Sequence, residues 1–105
     1  MGSYAQLQMS SARLSEWVNW PSIRTRLQAA GVGEALIYEI STLPQVGNDF
    51  PFYAVHLGHC PGVVSSYNEA RAFVHGFPGN YQCGALSLLE AQAIVQYGPE
   101  ARTIA

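Results

Sequence analysis

The 105-residue chain contains no lysine. Its five positive side chains are all arginine, set against seven carboxylates for a formal charge of −2. A dedicated nucleic-acid binder ordinarily has the opposite balance, because neutralised phosphates and released counterions supply most of its affinity. That footprint is missing. Charged residues make up 11% of the chain, where an ordinary soluble domain carries roughly 25%. The surface is therefore coated with Ser, Asn, Gln and Tyr, or is partly covered by a partner, and a homo-oligomer or complex stays open beside a monomer. Two cysteines, Cys60 and Cys83, are too few for a secreted disulfide framework. No run approaches the ~20 apolar residues of a membrane span, so no membrane partner is expected. No basic-then-apolar leader is visible, and Gln6 stands where a myristoylation signal needs Ser or Thr. The expected location is cytoplasmic or nuclear.

The length suits one domain with an appendage. Pro, Gly, Asn and Asp cluster in "STLPQVGNDFP", residues 41–51, which reads as a linker. It would join a mainly helical segment, 1–40, to a sharply patterned segment, 52–97, with 98–105 as a C-terminal tail. In "SSARLSEWVNW", Leu14, Trp17 and Val18 fall at i, i+3 and i+4, predicting a helix that Pro21 ends or kinks near Trp20. "PSIRTRLQAAG" predicts a second helix, with Pro21 at its opening and Gly31 as its stop. "EALIYEI" fits a short strand as well as a helix. Trp17 and Trp20 either pack on the second half, the simpler reading, or dock a partner.

The second half is clearer. "FYAVHL", residues 52–57, has the composition and length of a strand. "GHCPG" is a turn, with Gly58 and Gly62 around Pro61, and "VVSS" returns as a second strand. Ser66 and Glu69 form a capping box, opening a helix with Tyr67, Ala70, Phe73 and Val74 on one face. Gly76-Phe77-Pro78-Gly79 ends it, and "NYQCGA" is a third strand. Ser87 and Glu90 form a second box, opening a helix with Leu88, Ala91, Ile94 and Val95 on one side, closed by Gly98-Pro99. The expected fold is α+β. A small three-stranded antiparallel sheet, in the order β-β-α-β-α, carries two short helices on one face and follows a mainly helical N-terminal segment.

That order, with "FYAV", "GHCPGV", "SSYNEARAFVHGFPG", "NYQ" and "SLLEAQAIV" at unbroken spacing, resembles the N-terminal hybrid-binding domain of eukaryotic ribonuclease H. This is also called the caulimovirus viroplasmin-like domain, and the resemblance spans about residues 52–97. It implies a non-catalytic module for RNA/DNA hybrid or double-stranded RNA. RNA would be read along the minor groove through backbone amides and 2′-hydroxyls, and the DNA strand would lie on two aromatics and a basic set. Carried onto this chain, the aromatics are Tyr67, where the family usually has Trp, and Tyr81, with Tyr53 as the first-strand tyrosine. His56, His59 and Gln82 would form the polar grip, beside the amides of the 58–62 turn.

The basic set departs from the family pattern. His56 and Leu57 follow "FYAV", His59 and Cys60 occupy the turn, and Asn80, Gln82 and Cys83 lie on the third strand. From residue 52 onward Arg71 and Arg102 face Glu69, Glu90 and Glu100, one negative charge in excess. Losing several phosphate contacts lowers affinity by orders of magnitude at physiological salt. A free imidazole titrates near pH ~6.5. Protonating His56, His59 and His75 would make the segment net positive and binding stronger as pH falls; otherwise the three are ordinary surface imidazoles.

No enzyme is expected. A ribonuclease H centre gathers several carboxylates around divalent metal, whereas the chain has one aspartate, Asp49, and uses Glu69 and Glu90 as caps. His56, His59, Cys60, His75 and Cys83 lack the paired spacing of a zinc module, so neither metal nor cofactor is expected. A Cys60–Cys83 disulfide would need the turn beside the third strand, and is out of place in a reducing compartment. Two functions remain. One is a weak or specialised nucleic-acid-binding module. The other is a protein–protein interaction or structural module that keeps the fold without that ligand.

Overall fold

The computed structural model describes residues 17–101. Leu14, in the first expected helix, and Arg102 lie outside the described residues. Trp17, Val18 and Asn19 form a bend and turn, not the continuation of a helix. Helix α1, Trp20–Ala29, takes Pro21 in its first turn, where the missing N–H costs nothing. Its stop is a Schellman motif. Gly31, at φ 86, donates to the Gln28 carbonyl at 3.0 Å, and Val32 donates to Leu27 at 3.0 Å. Glycine is needed there because its backbone is left-handed.

The ambiguous "EALIYEI" lies in helix α2, Glu34–Ser41. Ile37 and Ile40 are buried at i, i+3 spacing, so tertiary packing decides against their strand propensity. Trp17 is buried, and its indole Nε1 donates to the Ser41 carbonyl at 3.1 Å. Its ring tilts against Trp20 at 4.9 Å. Both tryptophans therefore pack within the protein, Trp20 being partly buried against the same core.

Strands β1, Phe52–Leu57, β2, Gly62–Val64, and β3, Tyr81–Ala85, form one antiparallel sheet in the order β2-β1-β3. Helix α3, Tyr67–Val74, joins β2 to β3, and α4, Leu88–Tyr97, follows β3. Both helices open on the expected serines. Ser66 Oγ accepts from the Glu69 N–H at 3.1 Å, and Ser87 Oγ accepts from the Glu90 N–H at 3.1 Å. The glutamates respond differently. The Glu69 carboxylate accepts from the hydroxyls of Ser65 and Ser66, while Glu90 reaches the N–H of Leu86.

Side chains alternate across a strand, and β1 sends apolar residues both ways. Tyr53 and Val55 join Val64, Ala70, Phe73, Ile23, Leu27, Ile37 and Ile40 in one core. The N-terminal helices thus share a core with α3 and the sheet. Ala54 joins Ala85, Ala91, Ile94 and Ala101 in a second core beneath α4. The two C-terminal helices therefore cover opposite faces of the sheet, which corrects the expectation that both lie on one face. The physical reason is the alternation itself. Small alanines on the second face make room for α4, whereas the larger Tyr53 and Val55 meet Phe73 of α3.

Candidate nucleic-acid interface

The candidate residues fall into three local groups. The first is on the α3 face. Tyr53 is only 4% exposed, and its hydroxyl accepts from the backbone N–H groups of Asp49 at 2.8 Å and Phe50 at 3.2 Å. The ring of half-buried Tyr67 meets Tyr53 edge-on at 5.8 Å. The Arg71 guanidinium lies 5.6 Å from the centre of the Tyr67 ring, in reach of a cation–π attraction. One turn of α3 separates Tyr67 from Arg71, so helical spacing alone makes them neighbours. Gln82 pairs with Val55, and Gly84 with Tyr53, so Gln82 shares this face by alternation.

The second group lies on the α4 side. Between Val55 and Leu57 the β1–β3 register slips, leaving His56 as the extra residue of a bulge, a device that re-aims a side chain. Its Nδ1 meets the Val95 carbonyl at 2.7 Å. A carbonyl only accepts, so Nδ1 carries the proton of the neutral ring. The imidazole sits in a niche at Gly98, where a Cβ would come within 2.6 Å of it. The Tyr81 ring stands edge-on to His56 at 6.4 Å and packs partly against the second core.

The third group is the 58–62 turn. The His59 N–H donates to the Phe73 carbonyl at 2.7 Å, pinning the turn to the last turn of α3. His59 Nε2 donates to the His75 carbonyl at 2.8 Å, and the ring meets Phe77 edge-on at 5.3 Å. His75 in turn places Nε2 3.3 Å from Glu39 of α2. Asn80 Nδ2 donates to the Phe77 carbonyl at 3.0 Å and closes the loop before β3.

Tyr53, Tyr67 and Gln82 thus belong to one face, His56 and Tyr81 to the other, and His59 to the turn beside them. Tyr53 presents no free ring face.

Two cations near these groups were not among the contact residues expected from the sequence. Arg71 is one. The other is Arg26 of α1, whose guanidinium lies 4.5 Å over the Phe73 ring. The Arg26 carbonyl accepts from the Cys60 thiol at 3.5 Å. A helix distant in sequence so brings a positive charge to a turn that contains no arginine or lysine of its own. Helical periodicity marks Arg26 only as an outward residue of α1, and no local signal ties it to the turn. Burial pushes the Cys60 thiol up from its ordinary value, and the nearby Arg26 charge opposes that rise. Cys60 and Cys83 form no disulfide. Among the described residues, no group of three or more His, Cys, Asp or Glu is gathered as a metal site requires. No helix among them is long and apolar enough to cross a membrane.

A ββαβα sheet with these aromatic, turn and capping positions has a counterpart among known families. Residues 51–95 match the family model of the ribonuclease H1 N-terminal domain. The match begins one residue before β1 and stops within α4. It covers the sheet, α3 and both serine caps, and agrees with the resemblance drawn over residues 52–97. Helices α1 and α2 and the 42–50 segment lie outside it. No curated protein and no solved structure matches the chain. Within residues 51–95, Arg71 is the one arginine.

Proposed function

We propose that the chain is a non-catalytic nucleic-acid-binding module of the ribonuclease H N-terminal type, weak or specialised in affinity. Its ligand is an RNA-containing duplex, either RNA/DNA hybrid or double-stranded RNA. The match of residues 51–95 to that family carries this reading. In the 58–62 turn the His59 N–H is held by the Phe73 carbonyl and Pro61 has no N–H, so the other backbone N–H groups of the turn would serve the 2′-hydroxyls and phosphates of an RNA strand. Tyr67 and Tyr81 supply rings, and Arg71, Arg26, His56, His59 and Gln82 supply the polar contacts. Tyr53 serves by holding the residues around it.

The reading is tested by fluorescence anisotropy on the full chain in 50 mM salt, with labelled RNA/DNA hybrid, duplex RNA and duplex DNA. Micromolar binding that prefers RNA-containing duplexes and weakens in Tyr67→Ala and Tyr81→Ala is expected. A stacked base lost costs ~1–3 kcal/mol, from about fivefold to about a hundredfold in affinity. Repeating the titration at pH 5.8 tests whether binding strengthens as pH falls. Absence of binding to every duplex at a concentration on the order of 100 μM would sink the reading.

One observation favours a second reading, a protein-interaction module that keeps the fold. Leu86, Leu88 and Leu89 are 72%, 48% and 78% exposed, grouped at the start of α4. An apolar interface there would respond little to salt, whereas phosphate contacts weaken steeply with it.

A further inference from the structure

The segment before β1 is tied down at nearly every residue. The Pro44 carbonyl accepts from the Arg71 guanidinium. Val46 and Asn68 exchange two bonds: the Val46 N–H donates to Asn68 Oδ1 at 3.1 Å, and Asn68 Nδ2 donates to the Val46 carbonyl at 2.9 Å. Asn48 Oδ1 accepts from the Tyr67 N–H at 2.9 Å. Asp49 and Phe50 donate to the Tyr53 hydroxyl. The Phe50 ring stands edge-on to Tyr53 at 6.0 Å and lies over Gly84, where any Cβ would collide with it.

The groups so engaged belong to the α3 face: the Tyr53 ring and hydroxyl, the backbone N–H of Tyr67 and the Asn68 side chain at the start of α3, Gly84 of β3 and Arg71. We infer that residues 44–50 form an intramolecular strap across the aromatic face of the domain, so that strap docking and duplex binding exclude each other. The inference rests on the nucleic-acid reading above.

Three features suit a strap that releases. It is held mainly by hydrogen bonds, each modest in net value because water replaces it on release. Its apolar residues are already partly in water, Val46 being 47% and Phe50 38% exposed. It also brings Asp49, a negative charge, to the face on which phosphates would lie, and it occupies Arg71. A docked strap lowers apparent affinity by the fraction of molecules in which it is open.

The test uses the full chain with a labelled RNA/DNA hybrid. The double variant Asn48→Ala/Phe50→Ala removes two anchors that lie outside the family match. Its affinity is expected to rise about tenfold, the gain when a state open in about a tenth of molecules becomes dominant. In the wild type, saturating hybrid is expected to speed hydrogen exchange of the 46–50 amides. Wild-type binding with no gain in the variant, or with slowed exchange of those amides, would overturn the strap and leave the nucleic-acid reading standing. If neither protein binds, the nucleic-acid reading itself fails and the strap inference falls with it. Gly84→Ala provides a second variant that displaces Phe50 but keeps the strap's hydrogen bonds, and it decides the matter should the double variant lose cooperative unfolding.

Discussion

The backbone N–H of Tyr67 donates to Asn48 Oδ1 at 2.9 Å, across 19 residues of sequence. Tyr67 opens α3, and the first N–H groups of any helix have no partner within it. Ser66 satisfies one of them from inside the helix cap, and Asn48 satisfies another from the preceding segment. Asn48→Ala is therefore expected to lower stability by about 0.5–1.5 kcal/mol. The change should appear as a lower urea midpoint at unchanged slope. A null effect would mean that water replaces Asn48 without loss.

Tyr53→Phe asks a complementary question. The ring would still fill its place against Phe50 and Tyr67, but the Asp49 and Phe50 N–H groups would lose their shared acceptor. Leaving buried donors unpaired costs ~1–3 kcal/mol. These two are only part-buried, so the lower end is expected. Hydrogen exchange at Asp49 and Phe50 should accelerate while the core of α3 stays protected. Equal acceleration across α3 would mean that the hydroxyl supports the whole face, not the segment alone.

The two serine caps make a matched pair. Replacing a capping serine by alanine costs typically about 1 kcal/mol. Ser66 is part-buried, and its hydroxyl also donates to the Glu69 carboxylate, whereas the Ser87 cap is exposed. Ser66→Ala should therefore destabilise more than Ser87→Ala, and Ser66→Asp should recover most of the loss. Thermal or urea unfolding of the three variants reads the order directly. A reversed order would show that the carboxylate contact contributes nothing.

Much of this fold is legible in the sequence because its signals are local. The strand at residues 52–57 ends where Gly58 packs against the Phe73 carbonyl, both serine caps open helices, and Pro21 and Gly31 bracket α1. What the sequence hides is set by contacts between distant residues. Alanine is a weak hydrophobic signal, so Ala54, Ala85 and Ala91 do not announce a second core, and α4 is easily assigned to the wrong face. "LIYEI" is rich in β-branched residues and becomes helical because Ile37 and Ile40 reach the shared core. The site is less legible than the fold. Tyr53 looks like a surface tyrosine by motif but is buried, and residues 44–50, with the composition of a linker, include Pro44, Val46 and Asn48, which bond to residues 27, 22 and 19 positions away.

Cys60 links the turn to pH. Burial raises its thiol and the Arg26 charge lowers it, with burial the larger influence. A raised folded-state value means the thiol's contribution to stability is complete below the unfolded value. It is lost as pH rises through the folded one. Stability should therefore decline above the ordinary cysteine range, and Cys60→Ser should flatten that decline. Alkylation should be slow at pH 8, because the thiolate is the reactive form, and Arg26→Gln should slow it further by removing the lowering influence. Faster alkylation in Arg26→Gln would mean that the arginine acts by covering the thiol, not by its charge.

The salt dependence of binding measures how many cations reach phosphate. Each neutralised phosphate contributes about 0.7–0.9 to the slope of log affinity against log salt. Among the described residues the arginines are Arg24, Arg26 and Arg71. Arg24 is paired with Glu34 at 2.9 Å, on the part of the chain outside the family match. Arg26 and Arg71 flank the matched domain's aromatic and turn residues. A slope of magnitude about 2 or less is expected for RNA/DNA hybrid, far shallower than for a lysine-rich binder. Arg71→Gln should reduce it by nearly one, and Arg24→Gln should leave it unchanged. Anisotropy titrations between 25 and 200 mM salt, a range of about the kind over which such slopes are read, separate the cases. A much steeper slope, untouched by Arg71→Gln, would place the phosphate contacts elsewhere on the chain and remove Arg71 from the interface.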